Sequence, residues 1–273
     1  MRNSSKCLPS NRFGFTLVEL SIVLIIIGLL IGGILVGQSL IDSAKINRFI
    51  KDVQSYDIAT STFKQKFKAL PGDSTKFGCV NSTNVCGDGK ITSLNGGHDH
   101  FNSETGTFWK NLSDSKMIEK SYSNITTSGL VMGTNMPKID IGLTTGLIAQ
   151  YSSGGGGLPI HAGKNVFVAG FFNNASNIFS YGSTTVRPSF TPATAMAIDQ
   201  KMDDGNAYSG SVEGLGGLYA PVWQGISAGN NPYLYAPANS TDNCATPTNY
   251  SQYHTQSSCG LSIVMLSQAG QNQ

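Results

Sequence analysis

The sequence predicts an α+β protein, in which one long N-terminal helix precedes a loop-rich domain of short strands. Three observations carry this expectation. An apolar stretch near the start runs from Leu20 to Gly37 without a charged residue. Beyond it, apolar residues recur at alternating steps of three and four, the spacing of one helix face. Past residue 70 that spacing is lost and Gly, Ser, Thr and Asn become frequent.

The apolar helix comes first. Counted from Phe15 to Gly37 it has 23 residues. At about 1.5 Å per residue it spans roughly 34 Å, enough to cross a bilayer core. A secretory signal has a shorter apolar core, about 7–15 residues, with a small-residue cleavage site after it. Here the run is longer and continues into the amphipathic "QSLIDSAKINRF", which favours an anchor. The residues ahead of it carry Arg2, Lys6 and Arg12 and no acid, and a basic flank marks the cytoplasmic side. Only 12% of the chain is charged and its net charge is +2. Removing the basic flank leaves acids in slight excess, which argues against an electrostatic nucleic-acid binder. Glu19 stands out, because carboxylates inside membrane helices are rare and normally have a partner.

Ile46, Phe49, Val53, Tyr56, Thr60, Phe63, Phe67 and Leu70 continue the helix along one face. The opposite face is read as Lys45, Lys51, Asp52, Asp57, Lys64 and Lys68. A seam with aromatics and a Thr suits packing on a domain better than a coiled coil. "ALPGD" (69–73) then ends the helix, since Pro71 restricts Leu70 and Gly72 supplies a turn. A continuous helix over 15–70 would be about 84 Å long. Gly28, Gly32, Gly33 and Gly37 lower helix propensity in the apolar half, leaving room for local melting or for close helix packing. In the remainder, 71–273, "KNVFVAGFF" (164–172) and "LSIVMLS" (261–267) read as strands and "ATAMAIDQKMDD" (193–204) as a short helix.

At "GFTLVEL" (14–20) the sequence resembles the processing motif of type IV pilins and type II secretion pseudopilins. A short basic leader ends in Gly14, Phe15 follows, Glu19 is the fifth residue after the junction, and a long apolar helix comes next. The resemblance covers the leader and first helix, about a fifth of the chain. It implies cleavage after Gly14 by a prepilin peptidase on the cytoplasmic side and N-methylation of Phe15. It implies that Glu19 guides assembly by pairing with the Phe15 amine of a neighbouring subunit. The pilin-like fold it implies is a long helix, half in the membrane, packed on a C-terminal antiparallel β-sheet domain. Its partners would be other pilin or pseudopilin subunits and an inner-membrane assembly platform. The location would be the bacterial inner membrane, single-pass, with the globular part in the periplasm. "ALPGD" and "AIDQKMDDGNAYSGSV" (197–212) also resemble stretches found in prepilin-type proteins.

The chain has five Cys. Cys7 lies in the leader, and Cys79, Cys86, Cys244 and Cys259 allow three pairings. Pairing neighbours closes two short loops and suits an oxidising compartment. The alternative is unpaired thiols, but Gly, Asn and Ser around both pairs favour disulfides.

Other motifs lack their context. "GISAG" (225–229) with Asp242 and His254 follows hydrolase order, but no helix follows Ser227 and the trio is too compact for that fold. "GGGGLPIHAGKN" (154–165) misses phosphate-loop spacing, with Asn165 where Ser or Thr is needed, and reads as a flexible loop. "NVCGDGKI" (84–91) resembles a calcium loop through Asn84, Cys86, Asp88, Gly89 and Ile91, but Asn95 replaces the closing Glu. Asp199, Asp203 and Asp204 form a second acidic group, and "HDH" (98–100) lacks further ligands. The expectation is therefore no catalytic residue, no metal set and no resident cofactor, with calcium at an acidic loop as the exception to test. The favoured reading is a structural subunit of a pilus or secretion pseudopilus. At 259 residues after cleavage it is long for a major subunit, which suggests a minor one. The alternatives are a membrane-anchored binding or adhesin protein, with Tyr219, Trp223, Tyr233 and Tyr235 as contact residues, and a hydrolase.

Overall fold

The computed structural model describes residues 14, 16–79, 86–92, 104–124, 131–141, 144–152, 161–172, 186–187, 189–216, 244–246, 249–251 and 258–266. It divides into two units, Met1–Ala44 and Lys45–Gln273. Helix α1, Leu17–Phe67, enters both.

In the first unit, α1 is apolar and bare. Leu17, Leu20, Ile22, Leu24, Leu29, Leu30, Ile34 and Leu35 are all exposed. Such a surface needs lipid or other helices to cover it. A Cβ added at Gly28, Gly32, Gly33 or Gly37 would meet no atom within 4 Å.

In the second unit, α1 is amphipathic in the way its spacing predicts. Phe49, Val53, Thr60 and Phe63 are buried, and Ile46, Tyr56 and Phe67 are partly so. Asp57 corrects the sequence reading, because it is buried rather than on the outer face. Its Oδ2 accepts the backbone N–H of Leu266 at 2.9 Å. A carboxylate can enter a core where it caps an otherwise unpaired amide. The helix also ends three residues before Leu70: Lys68 turns left-handed (φ 60°) and its N–H reaches Lys64 O at 2.8 Å. Gly72 then adopts φ 87°, where a Cβ would collide with the carbonyl of Glu104. Phe63 and Phe67 of α1 and Phe77 of the 3-10 turn Thr75–Phe77 form a cluster of tilted and edge-on rings with centroids 4.7–5.2 Å apart.

Helix α2, Glu104–Asp114, has no counterpart in the sequence reading. Phe108, Trp109 and Leu112 are its buried apolar residues, a pattern too short to stand out among polar neighbours. Helix α3, Pro192–Met202, lies where expected. Pro192 starts it, and Thr191 caps it by accepting Thr194 N–H at 3.2 Å.

The strands are β1 (Lys138–Asp140), β2 (Thr144–Ser152), β3 (Lys164–Phe172), β4 (Val186–Arg187), β5 (Val212–Gly216), β6 (Ala245–Thr246), β7 (Asn249–Tyr250) and β8 (Cys259–Val264). The main sheet is antiparallel in the order β1-β2-β3-β8-β5, with β4 also on β3; β6 and β7 form a separate pair. This is the α+β, pilin-like layout of a long helix followed by an antiparallel sheet. Strand β3 coincides with "KNVFVAGFF", and β8 covers the start of "LSIVMLS". Of the stretch read as a flexible loop, residues 161–165 are described, and they are ordered. His161–Gly163 make the turn into β3, and Gly163 N–H donates to Ser152 O at 2.7 Å.

Strand alternation divides the sheet. Ala149, Phe167 and Ile263 pair across three strands on one face, and Gln150, Val166 and Val264 on the other. Phe167 packs against Phe108 and Trp109 of α2 at 6.1 and 6.0 Å, and Tyr56 of α1 meets Trp109 at 4.9 Å. The core therefore sits between the lower half of α1, α2 and that face. Cys79 is bonded to Cys86 and Cys244 to Cys259, the neighbour pairing.

Candidate assembly site at the start of the helix

Helices begin with unpaired N–H groups, which a Ser or Thr at the cap and a Glu three residues on can satisfy reciprocally. "TLVE" (16–19) supplies that pattern. Thr16 precedes the first helical residue, and its Oγ1 accepts the N–H of Glu19 at 3.3 Å. In return Glu19 Oε2 accepts the Thr16 N–H and Thr16 O–H, both at 2.8 Å. The carboxylate therefore folds back on its own helix start, where the dipole also favours an anion. Gly14 is exposed. Phe15 lies outside the described residues. Cleavage between them would leave the Thr16 amide, and with it the cap, chemically unchanged.

Residues 9–35 match the family model for the prokaryotic N-terminal methylation motif. The chain carries the type IV pilin and pseudopilin signature. No curated protein and no solved structure matches it. The signature supports a pilin-like precursor and implies processing by prepilin peptidase and assembly with other pilin-type subunits. Together with an apolar helix near the N-terminus, the one long enough to cross a membrane among the described residues, it fits an inner-membrane-anchored protein. Proteins with this signature are structural, not enzymatic.

The globular unit holds the remaining candidates. Asp73, buried beside the Cys79–Cys86 bridge, accepts the N–H of Gly87 and, at 2.9 Å, of Gly89. The loop that resembles a calcium loop thus turns the amide N–H groups of Gly87 and Gly89 inward onto a carboxylate. Asp88 Oδ1 accepts Lys90 N–H at 2.9 Å, and Ile91 O accepts Tyr151 N–H at 2.8 Å. Asn165 brackets the same loop, accepting Ile91 N–H at 2.8 Å and donating to Gly89 O at 2.9 Å. Glu104 completes it, with Oε2 taking Thr92 N–H at 2.6 Å and Thr92 O–H at 2.7 Å. Burial pushes Glu104 up to about 7, against those bonds. Asn84, Asn95, His98 and His100 lie outside the described residues.

Oxygens of Asp199, Asp203 and Asp204 lie within 4.8 Å of one another. Each already has donors. Asp199 takes Tyr250 O–H at 2.9 Å and Gly205 N–H at 3.1 Å, Asp203 takes Ser211 N–H, and Asp204 takes Asn206 N–H at 2.8 Å and Ser209 O–H at 2.5 Å. Burial raises Asp199 to about 6, while its Ser209 bond holds Asp204 down.

Ser227, Asp242 and His254, and Tyr219, Trp223, Tyr233 and Tyr235, lie outside the described residues. Sequence reading missed a different cluster. His161 Nδ1 lies 2.9 Å from Ser262 Oγ and 3.7 Å from Glu213 Oε2, all three buried. The residues are 52 and 49 positions apart along the chain, so no local pattern announces them. A nucleophile triad needs the serine and the acid on opposite ring nitrogens; here both face Nδ1. The cluster is not built for acyl transfer.

Proposed function

We propose that the chain is a prepilin or pseudopilin, cut after Gly14, methylated at Phe15 and assembled through its N-terminal helix into a type IV pilus or secretion pseudopilus as a minor subunit. The methylation motif at residues 9–35 carries this reading. The Thr16–Glu19 cap supports it. It stores a carboxylate at the helix start, and a neighbour's Phe15 ammonium can compete for that carboxylate during stacking. The bare apolar helix and its open glycines offer the surface along which subunits would stack. The globular unit, with two disulfides, suits the oxidising periplasm. Mass spectrometry of the mature N-terminus tests the processing step. An N-methylated Phe15 is expected; an intact Met1 or a later start overturns it. Deletion then separates the two machines, through loss of surface fibres or loss of secretion, and persistence of both rejects assembly.

A further inference from the structure

Among the described residues β5 ends the main sheet: its strand partner is β8, with Glu213 opposite Ser262, and its Gly214 N–H also donates to Ala207 O at 3.0 Å. Ser262 is in turn opposite Val168 of β3, so Val168, Ser262 and Glu213 share one sheet face. His161, in the turn before β3, bonds to Ser262 and stands beside Glu213. Their relative exposures are 0% for His161, 0% for Ser262 and 3% for Glu213. Among the described residues, two buried polar atoms of this cluster, His161 Nε2 and Glu213 Oε2, have no hydrogen-bond partner. A buried carboxylate oxygen without a donor is costly, which favours the protonated form of the group.

We propose that the buried His161–Glu213 pair makes the end of the sheet depend on protonation: while Glu213 is neutral, end strand β5 stays on β8, and ionisation of Glu213 loosens that strand from the sheet. The neighbours do not offset the charge. Lys164 of β3 and Asp203 after α3 act on the His161 ring in opposite senses. Tyr250 of β7 donates its hydroxyl to Asp199 and feels the charges of Asp199, Asp204 and Glu213.

Proton counts give the pair a distinctive pH signature. Burial raises Glu213 from 4.5 to about 8. Opening therefore releases a proton between those values, and stability is lost as pH rises through that window. Burial lowers His161 from 6.5 to about 4, with the Gly210 backbone opposing. Opening takes up a proton there, which favours the closed strand as pH rises. Between about 4.5 and 6.5 the two effects cancel. From 6.5 to 8 only Glu213 acts, and the opening constant climbs about tenfold per pH unit, roughly 30-fold in all, before levelling.

Hydrogen exchange by mass spectrometry on the full chain in detergent micelles, corrected for intrinsic amide rates, reads this directly. Amides of β5 should lose about 30-fold protection between pH 6.5 and 8, while β1 and β2 stay constant. In Glu213→Gln the loss should vanish. In His161→Gln it should begin near pH 4.5, which keeps the test alive if the first variant does not fold. Constant β5 protection in the unmodified chain overturns the proposal, as does a loss that persists in Glu213→Gln or one shared equally by β1 and β2.

Discussion

Replacing Asn165 by Ala probes how the disulfide loop is fixed to the sheet. Asn165 is fully buried in β3, and its amide makes two bonds to the loop, one from Ile91 N–H and one to Gly89 O. Ile91 is itself fully buried, so its amide cannot turn to water. A buried hydrogen bond is worth about 1 kcal/mol net, and a stranded buried donor costs about 1–3 kcal/mol. The expected loss is about 3 kcal/mol. For a unit of this size that lowers Tm by roughly 6–12 °C. Asn165→Asp keeps the acceptor for Ile91 but sets an oxygen against Gly89 O, so it should lose nearly as much. Urea unfolding of the full chain in micelles, followed by fluorescence of buried Trp109, gives the free energy. Exchange at residues 86–92 reports the loop. A change below about 0.5 kcal/mol for Asn165→Ala, the range of ordinary surface substitutions, would refute the bracket.

The assembly site separates into cap and charge. Glu19→Gln keeps an acceptor for Thr16 but deletes the charge, so processing should continue while filament incorporation, read by shearing and immunoblot, falls roughly tenfold or more. Thr16→Ala should instead speed exchange in the first turn of α1 by roughly fivefold; normal incorporation of Glu19→Gln would refute the charge-pairing role. Gly72→Ala should cost at least about 1–2 kcal/mol from the left-handed backbone alone, and more from the Glu104 carbonyl, measured by urea unfolding. Because every carboxylate of the Asp199 group already has donors, excess calcium over chelator should leave Tm unchanged; a calcium-dependent rise would reveal a site.

The sequence by itself determined helix α1 and the reciprocal Thr16–Glu19 cap at its start. Apolar length, the alternating spacing from Ile46 to Phe63 and the "TLVE" cap are local, and a helix satisfies its backbone within one segment. Strand β3 and helix α3 were legible for the same reason, one as a β-branched and aromatic run, the other as the stretch "ATAMAIDQKMDD" (193–204). Only the tertiary structure decided what depends on distant partners. Asp57 looks like a solvent-facing acid until Leu266 brings an unpaired amide to it. Asn165 looks like a failed phosphate-loop residue until the 86–92 loop arrives above β3. Helix α2 hides among polar residues because Trp109 is explained only by Tyr56 and Phe167. His161, Glu213 and Ser262 become a cluster only when β8 pairs with both β3 and β5. Burial, and with it the protonation of Glu213, is a property of that pairing and not of any stretch of sequence.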